Sequence, residues 1–182
     1  MRMLTLPLLL CGLMLLSSIN GHSKMYSYNL YMIVVKITHK EINGLRTECP
    51  SGWTLIQGRC FKYIPRRLTW GKAERNCISM GGNLASVHSS EEYHEIQSLI
   101  MRATYAMKVT WIGGSDATEE GTWSWSDGSL MTFTNWCPGE PNNGGWNQDC
   151  MQMNYSGEKC WDDDRCSVSL PSVCVLKKSK RN

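Results

Sequence analysis

The residues best suited to binding chemistry are concentrated in residues 136–166 of this chain. This stretch reads WCPGEPNNGGWNQDCMQMNYSGEKCWDDDRC and combines four cysteines with the triplet Glu140-Pro141-Asn142 and the acidic run Asp162-Asp163-Asp164. Repeated turn-forming residues argue against a regular helix or strand before Cys150. Hard cations such as Ca²⁺ take about 6–8 oxygen ligands from carboxylates, amide carbonyls and water. Two loops here offer such oxygens, so the stretch indicates a calcium site; a solvated acidic loop held by disulfides is the alternative.

The composition is that of one globular domain with a hydrophobic core, because 42% of the 182 residues are apolar and 19% are charged. The net charge is only +3, and much of the basic excess lies in a tail at residues 177–182. We interpret this tail as a solvated terminus. The sequence contains no stripe of basic residues of the kind that indicates nucleic-acid binding.

Residues 1–22 are predicted to be a secretory signal peptide, because a positively charged start precedes an apolar run at residues 4–16. The run is shorter than the ~20 residues that a membrane-spanning helix needs, and a retained signal anchor is the alternative. Residues 23–48 are an N-terminal extension or linker whose apolar segment, residues 28–37, has no assigned role. We therefore expect a secreted, extracellular protein with its folded domain at residues 49–176.

The cysteines also indicate an oxidising compartment. Nine are present, and loss of Cys11 with the signal peptide would leave an even number, typical of four disulfides in a secreted domain. The absence of CxxC or paired Cys/His spacing argues against a metal cluster. Turn-forming residues between Cys49 and Cys60 favour a hairpin closed by its own disulfide, whereas the other pairings stay open at this point.

Two helices are predicted in the first half of the domain. The first begins after Thr69 and ends at Gly81-Gly82. Its apolar face consists of Trp70, Ala73, Cys77 and Met80. The second begins at Ser89, with Glu92 at the spacing of a capping box. Its apolar face consists of Tyr93, Ile96, Leu99 and Ile100.

Short strands are predicted in the second half. The candidates are residues 109–112, 122–125, 131–133, 150–154 and 172–176. Helices followed by strands are typical of an α+β fold rather than an alternating α/β fold. Most tryptophans lie in this half, and we assign Trp111, Trp123 and Trp125 to the core, since large apolar rings can hold irregular loops in place.

Catalytic chemistry is not indicated. His88 and His94 are six residues apart and would lie on different sides of a helix, so we expect surface residues rather than metal ligands. Neither GxSxG nor HExxH occurs, and no nucleophile has an obvious base partner. We therefore expect a binding protein and not an enzyme.

Six short motifs follow one another along residues 49–176. They are Cys49-Pro50-Ser51-Gly52-Trp53, Asn83-Leu84-Ala85-Ser86-Val87, Trp111-Ile112-Gly113-Gly114, Trp125-Ser126-Asp127-Gly128, Glu140-Pro141-Asn142 and Trp161-Asp162-Asp163. Their order resembles that of C-type lectin domains, most closely the short secreted fish lectins and the type II antifreeze proteins. The resemblance implies a C-type lectin-like fold of the α+β class: two helices flanking short antiparallel sheets, a long calcium-binding loop region and stapling disulfides.

The resemblance also implies the disulfide pairings. They are Cys49–Cys60, Cys77–Cys174 and Cys150–Cys166, with Cys137–Cys160 matching an extra bridge of the antifreeze-like members. The last bridge would join the Glu140-Pro141-Asn142 loop to the loop bearing Trp161 and so pre-organise both halves of a site.

The family's primary calcium site maps onto Glu140, Asn142, Gln148, Asp162 and Asp163. Gln148 stands where glutamate is usual and Asp162 where asparagine is usual, so the set keeps the same total charge. Of these residues, Glu140, Asn142, Gln148 and Asp162 would also contact sugar hydroxyls. Asp162 only accepts hydrogen bonds, whereas Gln148 also donates them. We hypothesise that the donor has moved from one side of the site to the other and that calcium and sugar binding survive.

The Glu140-Pro141-Asn142 triplet resembles that of mannose-type binders, with a cis peptide bond before the proline. It predicts mannose-type glycans over galactose as ligands. An auxiliary calcium site maps onto Asp116, Glu120, Asn143 and Asp149, with ordinary loop acids as the alternative. Asn154-Tyr155-Ser156 is an N-glycosylation sequon.

The expected function is that of a secreted, calcium-dependent lectin that recognises microbial glycans in innate defence. The alternatives are a type II antifreeze-like ice-binding protein and a calcium-free, protein-binding domain. No collagen repeat or heptad is present, so a homo-oligomer would have to form through the domain surface or residues 23–48.

Overall fold

The computed structural model describes residues 48–177, which form two helices and eight strands. In chain order they are β1 (Thr54–Ile56), β2 (Arg59–Leu68), α1 (Trp70–Ser79), β3 (Gly82–Leu84), α2 (Ser90–Thr104), β4 (Thr110–Ser115), β5 (Ser124–Trp125), β6 (Cys150–Tyr155), β7 (Cys160–Asp164) and β8 (Leu170–Leu176). The predicted signal peptide, nearly all of the N-terminal extension and most of the basic tail lie outside the described residues. Within residues 48–177, no helix is long and apolar enough to cross a membrane.

The strands form one sheet in the order β1-β2-β8-β4-β6-β7, and β3 and β5 attach to β8 and β4. The pairings are antiparallel except for β4 with β8. The first long strand thus pairs with the last, while β6 and β7 lie at one end of the sheet, and β7 carries the acidic run Asp162-Asp163-Asp164. This arrangement confirms the α+β class.

Both helices begin where capping residues predict. The Ser89 hydroxyl accepts a hydrogen bond from the N–H of Glu92 at 3.1 Å. The Glu92 carboxylate accepts from the N–H of His88 at 2.8 Å rather than closing the reciprocal capping bond. At α1, Thr69 has extended backbone angles but its side chain makes no capping bond. Helix α1 buries Ala73 and Cys77 against the sheet, as its spacing predicts.

The strand predictions are confirmed for β4, β5, β6 and β8, whereas residues 131–133 form no strand. The hairpin predicted between Cys49 and Cys60 is present as β1 and the start of β2, whereas the sequence does not predict β3, β7 or the rest of β2. The sequence of β7, CWDDD, is poor in strand-forming residues, but its pairing with β6 overrides that preference. In β3, a side chain at Gly82 would collide with the main-chain carbonyl of Val175, so the second of the two glycines that follow α1 permits close strand pairing.

The structure contains the four expected disulfides, with Cα–Cα distances between 5.0 and 5.6 Å. Cys77–Cys174 joins α1 to β8. Cys137–Cys160 joins the long loop to the start of β7. The disulfides therefore crosslink both the core and the loop region.

Trp161 on β7 lies at the centre of an aromatic cluster. Its ring is fully buried and meets the rings of Tyr93, Trp125, Phe133 and Trp136 edge-on at centroid distances of 5.5–6.1 Å. Such edge-to-face contacts add specific geometry to hydrophobic burial. The cluster fixes β7, and with it Asp162 and Asp163, the first two acidic residues after Trp161.

Candidate functional site: a calcium centre

The long loop is tied to β7 at the point where it begins. The N–H of Trp161 donates to the carbonyl of Asn135 at 2.7 Å, and the N–H of Cys137 donates to the carbonyl of Trp161 at 2.8 Å. These bonds and the Cys137–Cys160 disulfide place the chain directly before Glu140 alongside the strand that carries Asp162. Two segments distant in sequence thereby meet at one site.

Asp163 holds the loop against the strand. Its carboxylate accepts the N–H of Asn142 at 2.9 Å and of Asn143 at 2.7 Å. Its main-chain carbonyl accepts Nε2 of Gln148 at 2.9 Å. Asp163 is fully buried, and the Glu140–Pro141 bond is cis, as expected. One aspartate therefore secures both sides of the loop.

Three carboxylates lie close together at the point where Asp163 holds the loop. One oxygen from each of Glu140, Asp162 and Asp163 lies within 4.8 Å of the others, and no other such group of acidic, His or Cys side chains occurs in residues 48–177. Burial, together with the charges of Asp162 and Asp163, raises the pKa of Glu140 to about 7. Oε2 of Glu140 is buried without a hydrogen-bond partner. Hard oxygens crowded in this way fit a divalent cation such as Ca²⁺.

Two amide side chains of the predicted set lie close together beside Gly144. A Cβ at Gly144 would lie 3.0 Å from Oδ1 of Asn142 and closer still to Oε1 of Gln148. The two carbonyl oxygens therefore face the same small space, which only glycine leaves open. Both residues also bond to Asp163, so the five predicted primary-site residues are brought together.

Comparison with known proteins identifies the family. The Lectin C-type domain family matches residues 66–176. The chain belongs to the C-type lectin family. It is 39% identical over 186 residues to ladderlectin of Oncorhynchus mykiss, covering 97% of this chain and 95% of ladderlectin. It is 39% identical over 146 residues to lactose-binding lectin l-2 of Anguilla japonica, covering 78% and 86% of the two chains.

A solved structure shows the same likeness in three dimensions. The Ca²⁺-dependent type II antifreeze protein, in its Ca²⁺-free form, superposes with a TM-score of 0.66 at 37% identity. The match covers 71% of this chain and all of the antifreeze protein. The family and the fold implied by the six motifs are therefore confirmed.

In this lectin domain, a further residue shapes the primary site. Gln152 on β6 lies opposite Asp162 on β7, is buried, and donates from Nε2 to Oδ2 of Asp162 at 2.6 Å. It orients Asp162 and leaves the other carboxylate oxygen for a ligand. The sequence does not reveal Gln152, because its role depends on pairing with β7, which the residues of β7 do not predict as a strand.

The auxiliary set is brought together only in part. Asp116 is buried, its Oδ2 accepts the N–H of Gly121 at 2.9 Å, and its Oδ1 has no partner. Burial raises the pKa of Asp116, and the charge of Asp149 adds to the effect. In contrast, Oδ1 of Asn143 accepts the N–H of Gln148 at 2.9 Å, and Glu120 is exposed.

The sequon residue Asn154 lies inside the lectin domain. Its side chain is fully buried. Oδ1 accepts from Gln97 at 2.9 Å, and Nδ2, the atom that a glycan would modify, donates to the carbonyl of Lys108 at 3.0 Å. The structure argues against the predicted glycosylation, because a glycan would require this side chain to leave the core.

Proposed function

We propose that this C-type lectin is a secreted protein that binds carbohydrate through a calcium ion. The ion would be held by Glu140, Asn142, Gln148, Asp162 and Asp163. The observation that carries the proposal is the approach of three carboxylates within 4.8 Å of one another. Their mutual repulsion destabilises the metal-free site, and a divalent cation relieves it. Four disulfides support secretion, since such bonds persist in oxidising compartments.

The residues around the ion would select the sugar. When bound, calcium supplies coordination positions for two neighbouring sugar hydroxyls. Asp162 keeps one oxygen for a hydroxyl, because Gln152 bonds the other. Glu140 offers the oxygen that lacks a partner. Asn142 supplies amide N–H donors for a sugar hydroxyl. In Gln148, Nε2 already donates to the carbonyl of Asp163, so fewer of its N–H groups are available to a sugar than the sequence predicts.

The proposed ligand class is mannose-type glycans, including those of microbial surfaces. The Glu140-Pro141-Asn142 triplet supports this choice. Because the chain is also similar to a lactose-binding lectin, binding of mannose has to be compared with binding of a galactoside.

Calorimetry on the full chain tests the proposal in two steps. Calcium is titrated first, and mannose and lactose are then titrated into the calcium-loaded protein. We expect calcium binding, followed by mannose binding that EGTA abolishes. Lactose binding in place of mannose would overturn the specificity, and calcium binding without either sugar would overturn the lectin proposal.

An auxiliary ion at Asp116 is a separate part of the proposal. The buried, unpartnered Oδ1 of Asp116 supports it. We expect wild-type protein to bind two calcium ions and Asp116→Asn to bind one. An unchanged stoichiometry would contradict the auxiliary site.

Ice binding is the second candidate, favoured by the similarity to the Ca²⁺-dependent type II antifreeze protein. Thermal hysteresis measured with calcium and with EGTA tests it. Calcium-dependent hysteresis without sugar binding would favour this candidate over the lectin.

A further inference from the structure

A second concave surface lies between β2, β8 and the segment that joins α2 to β4. We call it the β2 groove. Its cavity is about 290 Å³, and its apolar lining includes Tyr63, Pro65, Val109 and Pro171. It shares no residue with the proposed calcium centre. A cavity of this size is at the lower end of the range for small-ligand pockets.

An irregularity in the sheet forms one wall of the β2 groove. Ile64 pairs with Ser172, but the next paired residue, Leu68, faces Leu170, so β2 has more residues than β8 over this stretch. The bulge removes Pro65 and Arg67 from the regular ladder. Proline suits a bulge because it has no N–H to donate. The exposed Arg67 side chain is therefore presented at the groove.

Lys108 stands on the opposite wall, on a main chain that the core holds in place. Its carbonyl accepts Nδ2 of the buried Asn154 at 3.0 Å and the hydroxyl of Thr110 at 2.8 Å. On the first wall, the carbonyl of Leu68, next to Arg67, accepts Nε1 of Trp111 at 3.1 Å. Both cationic residues thus extend from fixed backbone.

The charge of the β2 groove is not compensated. Neither Arg67 nor Lys108 forms an ion pair with a described residue; the ion pairs found in residues 48–177 involve Arg59. No acidic residue lines the groove. Two cations on opposite walls of an apolar cleft are complementary to a ligand with an apolar face and anionic substituents.

We propose that the β2 groove binds a sulfated saccharide, with sulfate groups on Arg67 and Lys108 and a sugar ring on the apolar lining. The C–H face of a pyranose ring packs on proline, valine and tyrosine side chains while its hydroxyls stay in water. A peptide would instead leave main-chain amides unpaired against the apolar lining, which is costly. A membrane surface requires protruding apolar groups, whereas this surface is concave.

Calorimetry with a heparin hexasaccharide, in EGTA so that the calcium centre does not contribute, tests the proposal on the full chain. The groove variant is Arg67→Gln with Lys108→Gln. The matched control is Lys72→Gln with Arg75→Gln on α1, which removes the same charge from exposed positions. The basic tail is present in every protein, so its contribution cancels in the comparison.

We expect the groove variant to lose at least about tenfold in affinity, the effect of removing charge-assisted hydrogen bonds, and the control to lose less than about threefold. Equal losses of affinity in the two variants would show that binding depends only on the total positive charge of the protein, and this would overturn the proposal. Equal binding of a desulfated hexasaccharide or of a glutamate oligomer would also overturn it, as would no binding by the wild-type protein.

Discussion

At the scale of single residues, the proposed calcium centre illustrates how a site can be assembled around unfavourable charge. Glu140 has a buried oxygen without a partner and lies beside two aspartates. The domain tolerates this arrangement because hydrogen bonds stabilise the other two carboxylates. Two main-chain N–H groups donate to Asp163, and Gln152 donates to Asp162. Glu140 is thus the acid whose charge a bound cation would relieve most directly.

The protonation of Glu140 predicts a pH dependence for the metal-free protein. Burial and the neighbouring charges raise its pKa from 4.5 to about 7. Between these values the folded state binds a proton that the unfolded state lacks, so metal-free stability falls as pH rises. Glu140→Gln should therefore stabilise the protein at pH 8 but not at pH 4. Urea unfolding in EGTA measures this, and an equal effect at both pH values would contradict it.

Gln152 predicts a loss of calcium affinity without direct contact with the ion. Gln152→Met keeps the apolar stem but removes the hydrogen bond to Asp162. Loss of such a supporting partner costs about 10–100-fold in metal affinity. Calcium titration measures it, with Gln57→Met as a surface control. Wild-type affinity in Gln152→Met would show that Asp162 needs no support.

At the scale of elements, the pairing of β6 with β7 does most to build the site. It places Gln152 opposite Asp162. The aromatic cluster around Trp161 holds β7 from the side of the core. The loop carrying Glu140 has no regular structure of its own and depends on β7 for its anchors.

We expect the Cys137–Cys160 disulfide to contribute more to calcium affinity than the Cys49–Cys60 disulfide does. The double variant Cys137→Ser, Cys160→Ser removes the covalent link between the loop and β7 and leaves only hydrogen bonds there. We expect calcium affinity to fall about tenfold or more, because part of the loop must then be ordered on binding. The control is Cys49→Ser with Cys60→Ser, which opens the hairpin bridge. Calcium titration compares them, and equal losses would count against a specific role in organising the site.

Burial of Asn154 at the end of β6 predicts that the sequon carries no glycan. Its amide bonds Lys108 and Gln97, and these bonds join β6 to α2 and to the start of β4. Protein from a glycosylating host should show the same mass before and after treatment with a peptide N-glycosidase. A loss of mass after treatment would contradict the prediction.

The residue types that meet in the candidate site could be predicted from sequence, but the geometry of the site could not. Glu140, Asn142, Asp162 and Asp163 are conspicuous because oxygen-bearing residues cluster in short motifs. Gln152 becomes visible only when β7 is recognised as a strand. That Arg67 and Lys108 line the same groove depends on a bulge in β2 and on a distant loop, and local sequence specifies neither. The cysteine pairings followed from the family resemblance, since spacing alone left most of them open.

At the scale of the whole molecule, a polar network links parts of the chain that lie outside the proposed calcium centre. Arg59 on β2 pairs with Glu92 on α2 at 2.7 Å and lies 3.7 Å from Asp127, after β5. Asp127 also accepts hydrogen bonds from Ser86 at 2.5 Å and from Ser129. This network joins the hairpin, the second helix and the loop after β5.

Asp127 should contribute to stability against acid. Burial acts to raise its pKa, but hydrogen bonds from Ser129 and Ser86 and the charge of Arg59 outweigh burial and hold the pKa below its usual value. Its stabilising effect is therefore present at neutral pH and lost as pH falls through the lowered pKa. Asp127→Asn should cost about 1–2 kcal/mol at pH 7 and little at pH 2. Chemical unfolding measures this against Glu119→Gln, and equal costs at both pH values would contradict the prediction.

The Cys77–Cys174 bridge spans 97 residues and encloses the loop of the proposed calcium centre, the aromatic cluster and all strands from β3 to β7. A protease that cuts the chain once anywhere between these cysteines would leave two fragments that remain covalently joined. Nicked protein would migrate as one species on a gel until a reductant is added. In a fluid rich in proteases, a single cut in an exposed loop would therefore not separate the two halves of the binding site.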